Sequence, residues 1–427
     1  MTITPISHFA TAVAWVLVLV SNQALAADTC EVTVGRLATL EGQVEVQQTG
    51  MASWRPGVLN TELCQGDTVR AAERSRATVV LVNQAVLRID QNTAMRLDNI
   101  SGVAEERSAL SLFKGALQSF SRKPRGFEIS TPYLNGSIEG TEFVFRVEDG
   151  ESILTVLEGV VVASNDQGSA SVSGGESVAA AAGQAPQPRT VVRPRDAAQW
   201  SLYYPPILAT GRGDDSTISP VLRQAASDLS VGRVEEARAG VDQAIADNEG
   251  AGLAYALRAV IAVVQNQREQ ALVDARQGVS LSPDSAAAAI ALSYALQANF
   301  QINEARDVLQ QAVAQHPDDA LALARLAELQ LMLGDRRQAT ATAQQAAALA
   351  PDLGRTQITL GFAALAAFRN NEAAVAFEKA IALDSADPLP HLGLGLARIS
   401  AGNLESGRSE LELAVGLNSN DALLRAY

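Results

Sequence analysis

Small residues recur every 34 positions through the C-terminal half of this 427-residue chain. Ala237, Ala271, Ala305, Ala339 and Ala373 mark one slot, and Gly407 continues it. A second ladder follows behind it at Ala244, Gly278, Ala312, Ala346, Ala380 and Ala414, and Pro283, Pro317 and Pro351 close three successive units. A fixed period of this length, with small residues at set slots, predicts a solenoid of helix–turn–helix units. Small side chains belong where two antiparallel helices cross closely. Proline, which lacks an amide N–H, stops the second helix of a unit before the next begins. Six units fit, at 218–251, 252–285, 286–319, 320–353, 354–387 and 388–421. Bulky apolar residues near slot 24 (Val241, Leu309, Phe377 and Leu411) supply the contact between helices. An array of this kind builds a binding scaffold rather than a reaction centre.

The charge balance narrows the partners. A net charge of −14 excludes the basic face that a nucleic-acid binder needs to displace counterions. Residues 1–26 read as an export signal: an apolar run from Phe9 to Val20, too short to span a bilayer, then Ala24-Leu25-Ala26 as a small-x-small cleavage site. The segment departs from pattern in one respect, having no Lys or Arg before Arg36. The expectation is a periplasmic or secreted protein with no transmembrane segment in the mature chain. In an oxidising compartment Cys30 and Cys64 are expected to form a disulfide, two buried thiols being the alternative.

Residues 28–182 alternate apolar and polar with period two, in short runs such as Gly42–Gln48, Ala77–Asn83, Glu142–Glu148 and Val160–Ser164. Turn residues cut the runs, as at Asp149-Gly150 and Glu158-Gly159. This predicts an all-β sandwich or jelly roll whose polar, outward faces are free for contacts. Asn135-Gly136 reads as a further turn. Two blocks carry a resemblance: Leu63-Cys64-Gln65-Gly66-Asp67-Thr68-Val69-Arg70, and Thr131-Pro132-Tyr133 followed by Gly140-Thr141-Glu142-Phe143. Over roughly 35–180 the chain resembles the FecR domain, named for an envelope sensor that couples an outer-membrane iron transporter to a sigma factor. Relatives with that role place a cytoplasmic segment and a membrane helix before the domain. Here only the short export signal precedes it, so the resemblance implies an extracytoplasmic β-module without sigma-factor control.

Residues 183–214 read as a linker rich in Pro and Arg, interrupted by Trp200, Tyr203 and Tyr204. In a chain with 4% aromatic residues, such a cluster is expected to latch one domain onto the other. The region 215–427 is similar to tetratricopeptide repeats, six of them, with a seventh begun at Asp421–Tyr427. That broken unit is expected either to continue in a longer protein or to serve as a cap. The fold class expected is therefore multidomain, an all-β FecR-like sandwich followed by an all-α tetratricopeptide (TPR) solenoid.

By analogy with the repeat family, slots 2, 5, 9, 12 and 13 of each first helix face the groove. The partner-binding surface expected from those slots comprises Val260, Val264, Ile290, Tyr294, Gln297, Met332, Phe362, Leu365, Leu392, Leu396 and Ile399. So apolar a groove suits an apolar peptide or amphipathic helix; alternatively the linker or further repeats fill it. No enzyme is expected. His8, His316 and His391 are too scattered for a zinc site, and nucleophile-elbow, Walker and His-Glu-x-x-His motifs are missing, so no metal or other cofactor is implied. The leading expectation is an envelope scaffold that grips a protein partner. A cell-wall glycan-binding module and a FecR-type sensor are the rivals.

Overall fold

The computed structural model describes residues 32–103, 106–121, 126–138, 142–191, 193–208 and 218–419. The export segment 1–26, Cys30, Gly140, Thr141 and residues 421–427 lie outside them. Between Thr33 and Pro188 the described residues form 17 strands in two layers that share one strand. The first layer runs through Glu62–Cys64, Thr33–Glu41, Arg76–Leu81, Val86–Ile89, the second half of Ser108–Phe120, Glu142–Glu148, Glu151–Glu158, Ser177–Ala181 and Gln187–Pro188. The second runs through Arg55–Pro56, Val44–Gln47, Thr68–Ala71, Ala94–Asn99, the first half of Ser108–Phe120, Phe127–Ser130, Asn135–Ile138, Val160–Asn165 and Gly168–Ser173. The shared strand changes layer near Gly115, whose φ of 85° suits glycine and whose missing Cβ leaves room for Thr93.

One apolar core lies between the layers, with Leu37, Leu63, Leu87, Ile89, Leu112, Leu117, Phe143 and Phe145 fully buried. Phe143 and Phe145 meet edge to face with ring centres 5.9 Å apart. Two sequence readings need correction. Asn135-Gly136 is the start of a strand, not a turn. Gly136 stands there because the Phe145 ring lies where a Cβ would project, 2.6 Å from that point. Nor is the outer face of the first layer free. Arg76, Thr78, Val86, Arg88, Gln118, Phe120 and Glu142 alternate with the core residues, yet all are buried. Something covers them, and it is the other half of the chain.

That half is six helical hairpins. They are α1 (Pro220–Ser230) with α2 (Val234–Ala246), α3 (Ala251–Val264) with α4 (Arg268–Leu281), and α5 (Ala286–Ala298) with α6 (Ile302–Gln315). There follow α7 (Ala320–Met332) with α8 (Arg336–Leu349), α9 (Gly354–Ala366) with α10 (Asn370–Leu383), and α11 (Pro388–Ser400) with α12 (Leu404–Leu417). Pro283 and Pro317 each precede by two residues an N-cap, Ser285 on α5 and Asp319 on α7, whose side chains accept from Ala288 and Ala322 N–H. The period extends to the backbone: Gly232, Asn266, Phe300, Gly334, Phe368 and Gly402, all at the turn inside a hairpin, have positive φ.

The small-residue ladders sit at zero or near-zero exposure where helices cross (Ala237, Ala271, Ala305, Ala339 and Ala373). Phe377 on α10 shows what smallness allows. Its ring packs edge to face on Phe362 at 4.9 Å and rests against Gly361 of α9 and Gly393 of α11. A Cβ on Gly393 would fall 2.2 Å from the ring. Gly393→Ala is accordingly expected to destabilise the protein by about 1–3 kcal/mol through overpacking. Urea denaturation measures it, and an unchanged midpoint would mean the ring is not held between these helices.

Candidate functional site

The linker joins the halves by lying inside the solenoid. A 3-10 segment, Pro194–Ser201, begins with proline at its first turn and buries Trp200, whose indole N–H donates to Ala197 O at 2.9 Å. The chain then runs extended along the concave side. Leu202, Tyr204 and Ile207 enter one apolar cluster with Leu222 and Leu229 of α1 and Leu257 and Val260 of α3. Tyr203 reaches across to the fifth repeat, its hydroxyl donating to Asp384 at 2.9 Å. Trp200, Tyr203 and Tyr204, the aromatic residues proposed to form the latch, thus stand among the first, second and fifth repeats.

The β-module closes both ends. At the first repeat, Arg76 donates to the carbonyls of Trp200 (2.9 Å), Leu202 (3.0 Å) and Ser230 (3.2 Å), and its guanidinium also pairs with Glu41. Arg74 donates to Asp228 and, at 2.9 Å, to Ser227 of α1. Gly232 is pinned here: its φ is 77°, and a Cβ would lie 2.2 Å from Trp200 O. At the sixth repeat, Phe120 packs with Leu392, Leu411, Ala414 and Val415, while Ala38 and Val86 pack with Leu413 and Leu417 of α12. Gly416 lies directly on Val86. Arg88 donates to Leu417 O and Ser419 to Glu142, which also accepts from Gln118 at 2.9 Å.

These contacts settle where the residues predicted for the groove stand. Val260, Ile290 and Leu392 are buried; Val264, Tyr294, Gln297, Phe362, Leu365, Leu396 and Ile399 are half-buried; Met332 is 50% exposed. Phe362, Leu392, Leu396 and Ile399 share a cluster with Phe120 of the β-module. Within the motif resembling FecR, Glu142 and Phe143 are buried, and Thr131 bonds Ser152 at 2.8 Å and Leu134 N–H at 3.1 Å, bracing the turn at Pro132. Gly140 and Thr141 lie outside the described residues. Cys64 is disulfide-bonded, and its expected partner Cys30 lies outside the described residues.

Sequence reasoning missed a line of buried charge along the middle repeats. Arg325 lies over the Tyr294 ring at 3.9 Å, donates to Ser293 at 3.0 Å and to Gln297, and pairs with Glu328 at 2.8 Å. Arg355 pairs with Glu328 at 2.8 Å and Asp387 at 3.1 Å, and donates to the Tyr294 hydroxyl at 2.6 Å. Asp387 in turn caps α11 at Leu389 N–H. The slot rule contained the missing information: Glu328 is slot 9 of its unit and Arg355 slot 2. Naming mainly the apolar occupants of those slots left both out.

Two predictions follow from this geometry. Arg76→Met strands Glu41 unpaired in a buried place and removes three carbonyl partners, so a loss of about 3–5 kcal/mol is expected. Adding Glu41→Leu should recover the part due to the stranded carboxylate and leave the part due to the three carbonyls, and calorimetry of both variants decides; equal loss in the double variant would show that the stranded carboxylate costs nothing. Asp90 is pushed up to about 6 by burial, which outweighs the Gln91 N–H, Arg146 and Arg76. Its folded value lies above its unfolded one, so its contribution is fully present below about pH 4 and lost as pH rises through 6. Asp90→Asn should therefore stabilise the protein at pH 7.5 by on the order of 1 kcal/mol given partial exposure, seen as a higher melting temperature, and leave stability unchanged at pH 3.5; no gain at pH 7.5 would show that Asp90 carries no burial cost.

Comparison with known proteins agrees with this architecture. Residues 67–162 match a family model described as FecR protein, and residues 296–357 match one described as tetratricopeptide repeat. The chain carries both modules. No curated protein matches it. Among solved structures, the APC/C hetero-tetramer Cut9–Hcn1 is 18% identical with a TM-score of 0.41, over 48% of this chain and 41% of that one. The human IFIT1 dimer with PPP-AAAA is 18% identical with a TM-score of 0.40, over 46% and 49% of the two chains. MamA from Desulfovibrio magneticus RS-1 is 18% identical with a TM-score of 0.30, over 39% and 96%. This chain thus spans less than half of the first two. Among the described residues no helix is long and apolar enough to cross a membrane.

Proposed function

We propose that the protein is a non-enzymatic scaffold of the bacterial cell envelope, exported by its N-terminal segment, which engages a protein partner through the concave side of its repeats. The observation that carries this reading is the division of that concave side. Linker residues Leu202, Tyr204 and Ile207 occupy the first two repeats, and Phe120 occupies the last two. The third and fourth repeats keep Tyr294 and Gln297 half-buried against the buried arginines, and Met332 exposed. A partner segment with both apolar and hydrogen-bonding groups suits that stretch better than a purely apolar helix. Because both ends of the solenoid are bonded to the β-module, a partner held there would stand at a fixed position relative to the outer face of the module's second layer. That face is the surface we assign to an envelope component.

Photo-crosslinking tests this directly. A crosslinking residue at Met332, in the protein expressed in its host, should give one recurrent protein adduct. The same residue at buried Val260 should give only internal crosslinks. Internal crosslinks alone at both positions would remove the partner-binding role from the concave side.

A further inference from the structure

A cavity of about 530 Å³ lies where the linker, the first layer of the β-module and the first, second, fourth and fifth repeats meet. Its volume is in the range of small-molecule sites. Its half-buried apolar lining is Pro205, Pro206 and Leu208 of the linker and Leu353 of the fourth repeat, over buried Leu229, Leu257 and Val260. Its charged lining is Glu41, Asp352, Asp384, Asp387 and Arg355.

The charges do not balance at the wall. Glu41 is matched by Arg76, and Asp387 by Arg355 at 3.1 Å. Asp384 has only neutral donors, the Tyr203 hydroxyl at 2.9 Å and the Ala386 N–H at 3.1 Å, and no cation pairs with it among the described residues. Those two bonds fix its carboxylate in place. Its charge reaches its neighbours: Asp387 is pushed up to about 6, first by burial, with Arg355 pulling it down and Asp384 pushing it up. An unmatched carboxylate beside an apolar wall favours a ligand with the complementary pair of properties.

We propose that this cavity binds an amphipathic cation, its ammonium or guanidinium head at Asp384 and its apolar body against Pro206, Leu208 and Leu353. The site is separate from the partner-binding stretch at Met332, and the proposal does not rest on it.

Titration calorimetry of the full mature chain with three probes of equal length, octylammonium, octanol and octanoate, each below its micelle concentration, tests the assignment. Octylammonium should bind saturably at one site and at least about tenfold tighter than octanol, with octanoate weaker than either. Asp384→Asn keeps an acceptor for Tyr203 and removes the charge. In that variant octylammonium should fall to the affinity of octanol, whose retained binding reports an intact cavity. Leu353→Trp, at a half-buried lining position, fills the apolar side and should abolish binding of both. Octanoate binding as tightly as octylammonium, or no saturable binding of any probe to the unaltered chain, overturns the proposal. So does an Asp384→Asn variant that keeps the preference for the cation.

Discussion

Arg76 holds three parts of the chain at once. Its guanidinium pairs with Glu41 on the neighbouring strand and donates to carbonyls of the linker, Trp200 and Leu202, and of the first repeat, Ser230. A guanidinium offers five donors in a fixed plane, so it can satisfy several carbonyls that a buried linker would otherwise leave unpaired. Backbone carbonyls removed from water need such partners, and an extended segment lying in a groove has no ladder to supply them. Without Arg76 the linker could not be buried at this point. Without the buried linker, the apolar residues of the first two repeats would face water.

From that constraint the rest of the interface follows. With the first repeat tied to the strand of Arg76, the curvature of six hairpins brings the sixth back to the same sheet, where Phe120, Val86 and Ala38 receive α12. A solenoid exposes an apolar face at each end unless something polar caps it. Here the outer face of a β-sheet covers part of both. The sheet therefore carries buried side chains on both faces, and its strands lose the polar alternation of a sheet that faces water. Glu142–Glu148 shows this: Phe143, Phe145 and Val147 point to the core, and Glu142 and Val144 are buried on the opposite side.

The period-34 ladders made the solenoid legible because its slots answer local demands that recur along the array: a close crossing and a turn with positive φ in each unit, and a side-chain cap in three. The strands were legible for a similar reason, period two with glycine at the turns. What could not be read was any contact between the two patterns. Arg76, Arg74 and Phe120 look like ordinary members of strands, since a residue that meets another domain has no periodic signature. Gly136 looked like a turn residue because Asn-Gly usually is one, whereas the decisive neighbour, Phe145, is brought by the tertiary fold. The residues predicted for the groove came from a slot rule that names positions on a helix and is silent about their occupant.

The buried ions of the middle repeats bear on why the concave side is polar at all. An apolar residue at slot 2 or slot 9 could have packed the hairpins at least as firmly, since buried ion pairs seldom outdo well-packed hydrophobic side chains. Arg355, Glu328, Arg325 and Asp387 instead link the third through the sixth repeats, by hydrogen bonds from Arg325 to Ser293 and Gln297 and from Arg355 to Tyr294 and Asp387, and by an ion pair alone between Arg355 and Glu328. Directional bonds between successive units fix the angle between them, where apolar contacts would let the units slide. A solenoid that must return its last helix to the sheet that holds its first has little tolerance in that angle. An error in the angle between hairpins accumulates from unit to unit, and α12 must still place Gly416 on Val86, where no side chain larger than hydrogen fits. The charge line is thus best understood as the element that sets the curvature on which closure depends.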